Sequence, residues 1–313
     1  MTRSYVPGAK TLFFSLMTNF IKKQNFWFVF TPYFWLVLFF FIPLALIFKI
    51  SISVSEWGMP PYRDMFAFTE EGFSINATLS NYAFIFSDSF YLRSYLNSLT
   101  LAFTSTLICL LIGYPIAFYV AKSKENIRNL LLILLIIPFW TSFLLRVYAW
   151  KVILQGSGII NTILIKFGFI DQPISMLYNH YAVILGVVYT YLPFMILPLY
   201  GYLVKFDLNL IDASSDLGAK PFKTFFKVII PLSLPGIVAG SMLVFIPVVG
   251  EFVIPELLGG SDKLYFGKII WDEFFVNRDW PIASALAMSG IFILVIPIII
   301  FQLMYAKYNF KNE

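Results

Sequence analysis

The sequence predicts an all-α membrane protein of six transmembrane helices with both termini on the cytoplasmic side. Three observations lead there. Apolar residues make up 59% of the 313 and charged ones only 12%, about half the charged share of a soluble domain. Six stretches, 24–48, 94–121, 129–145, 172–204, 228–250 and 280–306, contain no Asp, Glu, Lys or Arg, and each reaches the roughly 17 to 25 residues that a helix needs to cross hydrocarbon. Finally, Lys and Arg number 13 on the side of the termini and 9 on the other, while Asp and Glu number 5 and 12. The excess of basic residues marks the termini as cytoplasmic.

Taken in order, the N-terminal segment 1–23 carries Arg3, Lys10, Lys22 and Lys23 and is read as cytoplasmic. The first span is too long for a signal-peptide core and has no small-residue cleavage site after it, so it is an uncleaved anchor. The loop from Lys49 to Arg93, with Trp57, Met59, Pro60 and Pro61, falls on the periplasmic side. Val152 to Ile165 is a seventh uncharged stretch of only 14 residues holding Gly156 and Gly158; it reads as a re-entrant or interfacial piece beside a cavity that leaves the topology unchanged. Arg146 comes after 17 uncharged residues and either snorkels to the surface or pairs with an acid of the neighbouring segment. Tyr189, Tyr191 and Pro193 are placed to kink the fourth span, and His180 belongs at its water boundary. Glu251 closes the fifth stretch beside Pro247 and Gly250, where a helix can break at a cavity. Residues 24–306 form one transmembrane domain, and 307–313 a cytoplasmic tail.

Several function classes are excluded by what the chain lacks. One cysteine, Cys109, and one histidine, His180, cannot supply a disulfide framework, a zinc site or a Cys/His nucleophile pair. No phosphate loop of the G-x-x-x-x-G-K-[ST] form occurs, so chemical energy for uphill movement must be handled by another chain. The basic balance is a topology signal, without the basic aromatic motifs of a nucleic-acid binder.

The segment 207–231 is polar and finely divided. Leu210, Ala213 or Ser214, and Leu217 fall at helical spacing, and Asp207 is placed to cap them. Gly218 suits a left-handed C-cap, and Pro221 suits the first turn of a second helix. In that helix Phe222, Phe225, Phe226 and Ile229 make one face, with Lys220, Lys223 and Lys227 opposite. The pattern predicts helix, turn and helix, the second lying at the cytoplasmic membrane surface.

Its spacing resembles the cytoplasmic EAA motif of binding-protein-dependent ABC importer permeases: Asp212, Ala213 and Ser214, three residues, Gly218, nine residues, then Val228, Ile230 and Pro231. Asp stands for the motif's Glu and Ser for its second Ala. The similarity runs from about residue 90 to the C-terminus, through "YLNSLTLAF" and "IGYPIAFYVAK". "LLRVYAWKVILQGSGIINTIL", "VGEFVIPELLGG" and "NRDWPIASALAM" resemble the spermidine/putrescine permeases, and the last two the putrescine type more closely. The resemblance implies a type I ABC importer permease fold in the bacterial inner membrane, with 207–231 as the element that docks into a cytoplasmic ABC ATPase. It also implies a second permease subunit, two ATPase subunits and a periplasmic polyamine-binding protein as partners, the last meeting the 49–93 loop. No cofactor is expected in this chain, since ATP and Mg would be held by the partner ATPase.

Polyamine cargo agrees with the residues of 251–279. Glu251, Glu256, Asp262, Asp272, Glu273 and Asp279 outnumber Lys263, Lys268 and Arg278, with Trp271, Phe274, Phe275 and Trp280 among or beside them. Carboxylates pair with ammonium groups, and aromatic faces hold a cationic stem. Glu251, Glu256, Trp271, Asp272, Glu273 and Asp279 are the candidate pathway residues. Alternatives are a permease of the same family for a different solute, or an ion-coupled secondary transporter, against which the charge-free spans and missing repeat weigh.

Overall fold

The computed structural model describes residues 26–69, 72–207, 209–260 and 263–309; segment 1–23, Asp262 and residues 310–313 of the tail lie outside them. Helix α1 (Phe26–Leu36) passes through a five-residue π turn, Val37–Phe41, into α2 (Ile42–Ser51). The widened turn has a local cause. Pro43 has no N–H to return to the chain, and the Ile42 N–H reaches back five residues to the Val37 carbonyl. Side chains from Phe30 to Ile42 stay largely exposed, whereas α2 leans on the last helix of the chain.

The 49–93 connection carries a structure that the sequence reading omitted. Strands β1 (Phe66–Thr69) and β2 (Gly72–Ile75) pair antiparallel, with Phe66 opposite Ile75, and are the only strands among the described residues. Helix α3 (Ser80–Ser87) comes next. Asn81 fastens the connection by donating to the carbonyls of Ser51 and Ser53, both at 2.9 Å.

The centre is built from α4 (Ser89–Lys122), α8 (His180–Leu203) and α11 (Ile230–Val249), which pack most extensively on one another. Leu101, Met195, Ile196, Leu199, Val244 and Val248 have no exposed surface. Close approach is possible because small residues face Met195: a Cβ at Gly240 would lie 2.8 Å from its sulfur, and one at Gly113 3.2 Å from its Cγ.

The third predicted span needs correction. Residues 129–145 do not form one helix. They divide among α5 (Glu125–Ile136), a 3₁₀ turn Ile137–Trp140 and the start of α6 (Phe143–Leu154). Pro138 forces the tightening, and Thr141 and Ser142 are extended. The length that a membrane crossing needs is met instead by Phe143–Lys166, which includes α6 and α7 (Ile159–Lys166). The supposed re-entrant piece at 152–165 is therefore the end of α6, a bend at Gln155–Gly158 and α7. Asn161 secures the bend by donating to the carbonyls of Gln155 and Ile174 at 3.1 and 3.0 Å.

Among the described residues, five helical runs are long and apolar enough to cross a membrane: Phe30–Ser51, Ser89–Lys122, Phe143–Lys166, His180–Leu203 and Pro221–Val249. A shorter apolar helix, Trp280–Val295, is the described core of the sixth. Its full helix, α14, is Trp280–Asn309, so helix continues past residue 306, where the sequence reading placed the tail.

Candidate functional site

Two regions carry the predicted site residues. The first is 207–231. Asp207 accepts from the Asn209 N–H at 3.0 Å and starts α9 (Asn209–Asp216). Gly218 ends it in the left-handed region at φ +76°, the Gly218 N–H reaching Ser215 O at 2.9 Å and the Ala219 N–H reaching Ser214 O at 3.1 Å. Pro221 then opens α10 (Pro221–Thr224).

Beyond Thr224 the chain departs from the expected surface helix. A π turn, Phe225–Ile229, joins α10 to α11 without a break, so that Pro221–Val249 is one helix. Pro231, like Pro43, cannot donate, and the Ile230 N–H bonds to Phe225 five residues back. Val228, Ile230 and Pro231 thus sit where the helix changes pitch. The predicted apolar face splits. Ile229 is buried and Phe225 packs edge-on to Tyr114 at 5.4 Å, but Phe222 and Phe226 stand exposed, 4.6 Å apart.

The two helices are pinned by a bond between the Ser214 and Thr224 hydroxyls at 2.7 Å. Thr224 is only 3% exposed. Nothing in its sequence context marked it, because its partner lies ten residues away across the turn. Asp212 and Ala213 are exposed, as are Leu210 and Leu217, the latter at 89%.

The second region is built around Glu251. Helix α11 ends at Val249, and after Gly250 and the 251–252 corner the chain re-enters helix as α12 (Val253–Leu258). Glu251 caps that short helix, Oε1 accepting from the Val253 and Ile254 N–H groups at 3.0 and 3.3 Å. Oε2 accepts from the Tyr191 hydroxyl at 2.6 Å. Tyr191 stands near the middle of α8, roughly 17 Å along the axis from its start, so the carboxylate lies at the depth of mid-helix. It faces a cavity of about 490 Å³, lined also by Arg146, Thr190, Phe143, Phe194 and Phe252.

The structure does not gather the other five candidates there. Glu256 pairs with Lys268 of α13 (Phe266–Trp271), and Asp272 lies 3.7 Å from the same ammonium. Burial works to lower the pKa of Lys268, but these acids outweigh it and hold the ammonium above its ordinary value. Trp271 stacks on Phe252 at 4.6 Å. Glu273 is buried, accepting from the Tyr91 hydroxyl and the Asn277 amide, both at 2.9 Å. Asp279 caps α14 by accepting from Ile282 N–H at 3.1 Å, and also holds the Ser55 hydroxyl at 2.8 Å. Four of the five thus serve local capping and pairing. His180, at the start of α8, bonds through Nδ1 to the Tyr265 hydroxyl at 2.8 Å.

One backbone approach fixes the corner. A Cβ on Gly267 would fall 2.3 Å from the Gly250 carbonyl oxygen and 2.8 Å from that of Glu251. Both are main-chain atoms and cannot rotate aside. Gly267→Ala is expected to cost about 1–3 kcal/mol and to displace Glu251, read as lower thermal stability of the purified chain.

The family described as "Binding-protein-dependent transport system inner membrane component" matches residues 110–309. The spermidine/putrescine transport system permease protein PotB of Haemophilus influenzae is 40% identical over 279 residues, covering 89% of this chain and 93% of that protein. PotB of Escherichia coli is likewise 40% identical, covering 89% and 97%. Among solved structures, that of a bacterial ABC transporter involved in the import of the acidic polysaccharide alginate is similar in fold, with TM-score 0.65, 13% identity and coverage of 91% of this chain and 96% of that one. The divided 207–231 segment and the corner at Glu251 both fall within the matched residues, and the chain belongs to the family of binding-protein-dependent transport system inner membrane components.

Proposed function

We propose that the chain is the membrane-spanning permease subunit of an ATP-driven importer for polyamines in a bacterial inner membrane. The 40% identity to PotB proteins over most of both chains carries the cargo assignment. Those relatives bear spermidine and putrescine in one name, so the reading is of the class and is not narrowed to the putrescine type. Glu251, with the aromatic walls around it, would take the ammonium of a cationic cargo at mid-membrane depth.

Asp212, Ala213, Ser214, Gly218, Val228, Ile230 and Pro231 would couple that cavity to a cytoplasmic ABC ATPase. The exposed stripe of Leu210 and Leu217 with Phe222 and Phe226 supports a protein partner. The continuous helix Pro221–Val249 supports direct transmission, since a push on one end reaches Gly250 without crossing a loop. Alternating access would result as that helix tilts against α4 and α8. A second permease subunit, a periplasmic polyamine-binding protein and both termini on the cytoplasmic side belong to the same reading.

Affinity capture of the tagged chain from membranes that also express its neighbouring genes, combined with uptake of labelled putrescine and spermidine in vesicles, tests the proposal. Co-purification of an ATPase with uptake that needs ATP is expected. Uptake that survives ATP depletion but collapses with the ion gradient would overturn it. Thr224→Val removes the hydroxyl pin while keeping the shape, a loss of about 1 kcal/mol; ATP hydrolysis should continue while the amount of cargo moved per ATP falls several-fold.

A further inference from the structure

Arg146 and Glu251 share one cavity and do not touch. The guanidinium carbon lies 5.0 Å from the centre of the Phe139 ring. Arg146 Nε is buried without a hydrogen-bond partner, and none of the four ion pairs among the described residues includes this side chain. A buried guanidinium N–H without an acceptor is costly. Glu251 is the only carboxylate on the same walls. Its oxygens already accept from Tyr191, Val253 and Ile254, yet a carboxylate has about four acceptor positions, so one more donor fits.

We propose that Arg146 is the exchange partner of Glu251. In one arrangement the guanidinium rests on Phe139, as here, and leaves Glu251 open to an ammonium; in the other it pairs with Glu251 and expels that ammonium. This deepens the reading of a cationic cargo at Glu251 and rests on it. The chemical logic is one of release. Glu251 is only part-buried, but a carboxylate that releases an ammonium there gives up its cationic partner away from bulk water, which slows release. A resident cation on the walls of the same cavity lowers that barrier, because the carboxylate passes from one positive partner to the other. Tyr191 and the two N–H groups hold the carboxylate still while its partner changes.

The test uses the intact transporter in membrane vesicles, with binding protein at saturation so that turnover is read and not capture. Arg146→Gln should lower turnover of labelled putrescine at least about fivefold, and Arg146→Lys should restore most of it. In a Glu251→Gln background, Arg146→Gln should have no further effect, since coupled neighbours are not additive. Additive losses, or equal losses in the Gln and Lys variants, would overturn the exchange and leave a packing role. A second readout needs no cargo. The natural cysteine, Cys109, is buried, so a thiol introduced by Arg146→Cys can be titrated alone with cationic and anionic methanethiosulfonates. Preference for the cationic reagent should fall at least about threefold when Glu251→Gln is added. An unchanged preference, or a thiol inaccessible to both reagents, would overturn the proposal even where uptake is normal. Should the parental complex import no polyamine, the polyamine reading fails by itself, while the thiol readout still decides whether the two side chains sense each other.

Discussion

Gly218→Val should abolish ATP-dependent uptake while leaving the chain in the membrane, with loss of at least about tenfold in transport rate. The residue sits at φ +76°, where a β-branched side chain is strained by about 1–3 kcal/mol. Space is not the issue, because a Cβ there would meet nothing within 4 Å. The strain is relieved only by changing the angle between α9 and α10, which opposes the Ser214–Thr224 bond. Gly218→Asn supplies the control, since asparagine enters the left-handed region readily; it should keep most of the transport. Captured ATPase should fall with Val and persist with Asn. Equal loss in both variants would show that bulk on the exposed turn, not backbone angle, is what the partner senses.

The second large effect concerns Glu251. Glu251→Leu removes the cap of α12 and leaves the Tyr191 hydroxyl with no acceptor at mid-helix depth. An unsatisfied buried group costs about 1–3 kcal/mol, and the cavity loses its carboxylate altogether. Uptake should drop about 100-fold or more. Glu251→Gln keeps an acceptor oxygen for the helix cap but not the negative charge; it should insert and assemble like the parent while transport still falls at least about tenfold. Tyr191→Phe separates the supports, because it leaves both the charge and the cap in place, and a loss of only a few-fold is expected. If Glu251→Gln transports like the parent, the carboxylate is a helix cap alone and the cationic cargo must pass elsewhere.

Much of this was readable from the sequence, for reasons that also mark where reading stopped. Uncharged length located the apolar spans because a bilayer rejects charge wherever it falls in a helix. It could not tell a continuous helix from a broken one, since Pro138, Thr141 and Ser142 are uncharged and break the 129–145 run nonetheless. The left-handed turn at Gly218 was legible because glycine and a proline soon after it are local signals. The fusion of α10 to α11 was not, because a π turn accommodates Pro231 with no residue type of its own. The helix break beside Glu251 was legible because Pro247 and Gly250 are local signals. Sequence could not show that the acids after it, Asp279 and Glu273, have partners at positions 282, 55, 91 and 277 that only the fold brings near. Thr224 and the Tyr191 hydroxyl escaped for the converse reason.

The sparse contact of the first span carries a consequence for biogenesis. In its most apolar stretch only 6% of Phe30–Ser51 is buried, and α2 leans mainly on α14, the final helix of the chain. A ribosome releases Phe30–Ser51 long before Trp280–Asn309 is synthesised. This span must therefore enter the bilayer on its own apolar length, before the later helix against which it rests has been synthesised.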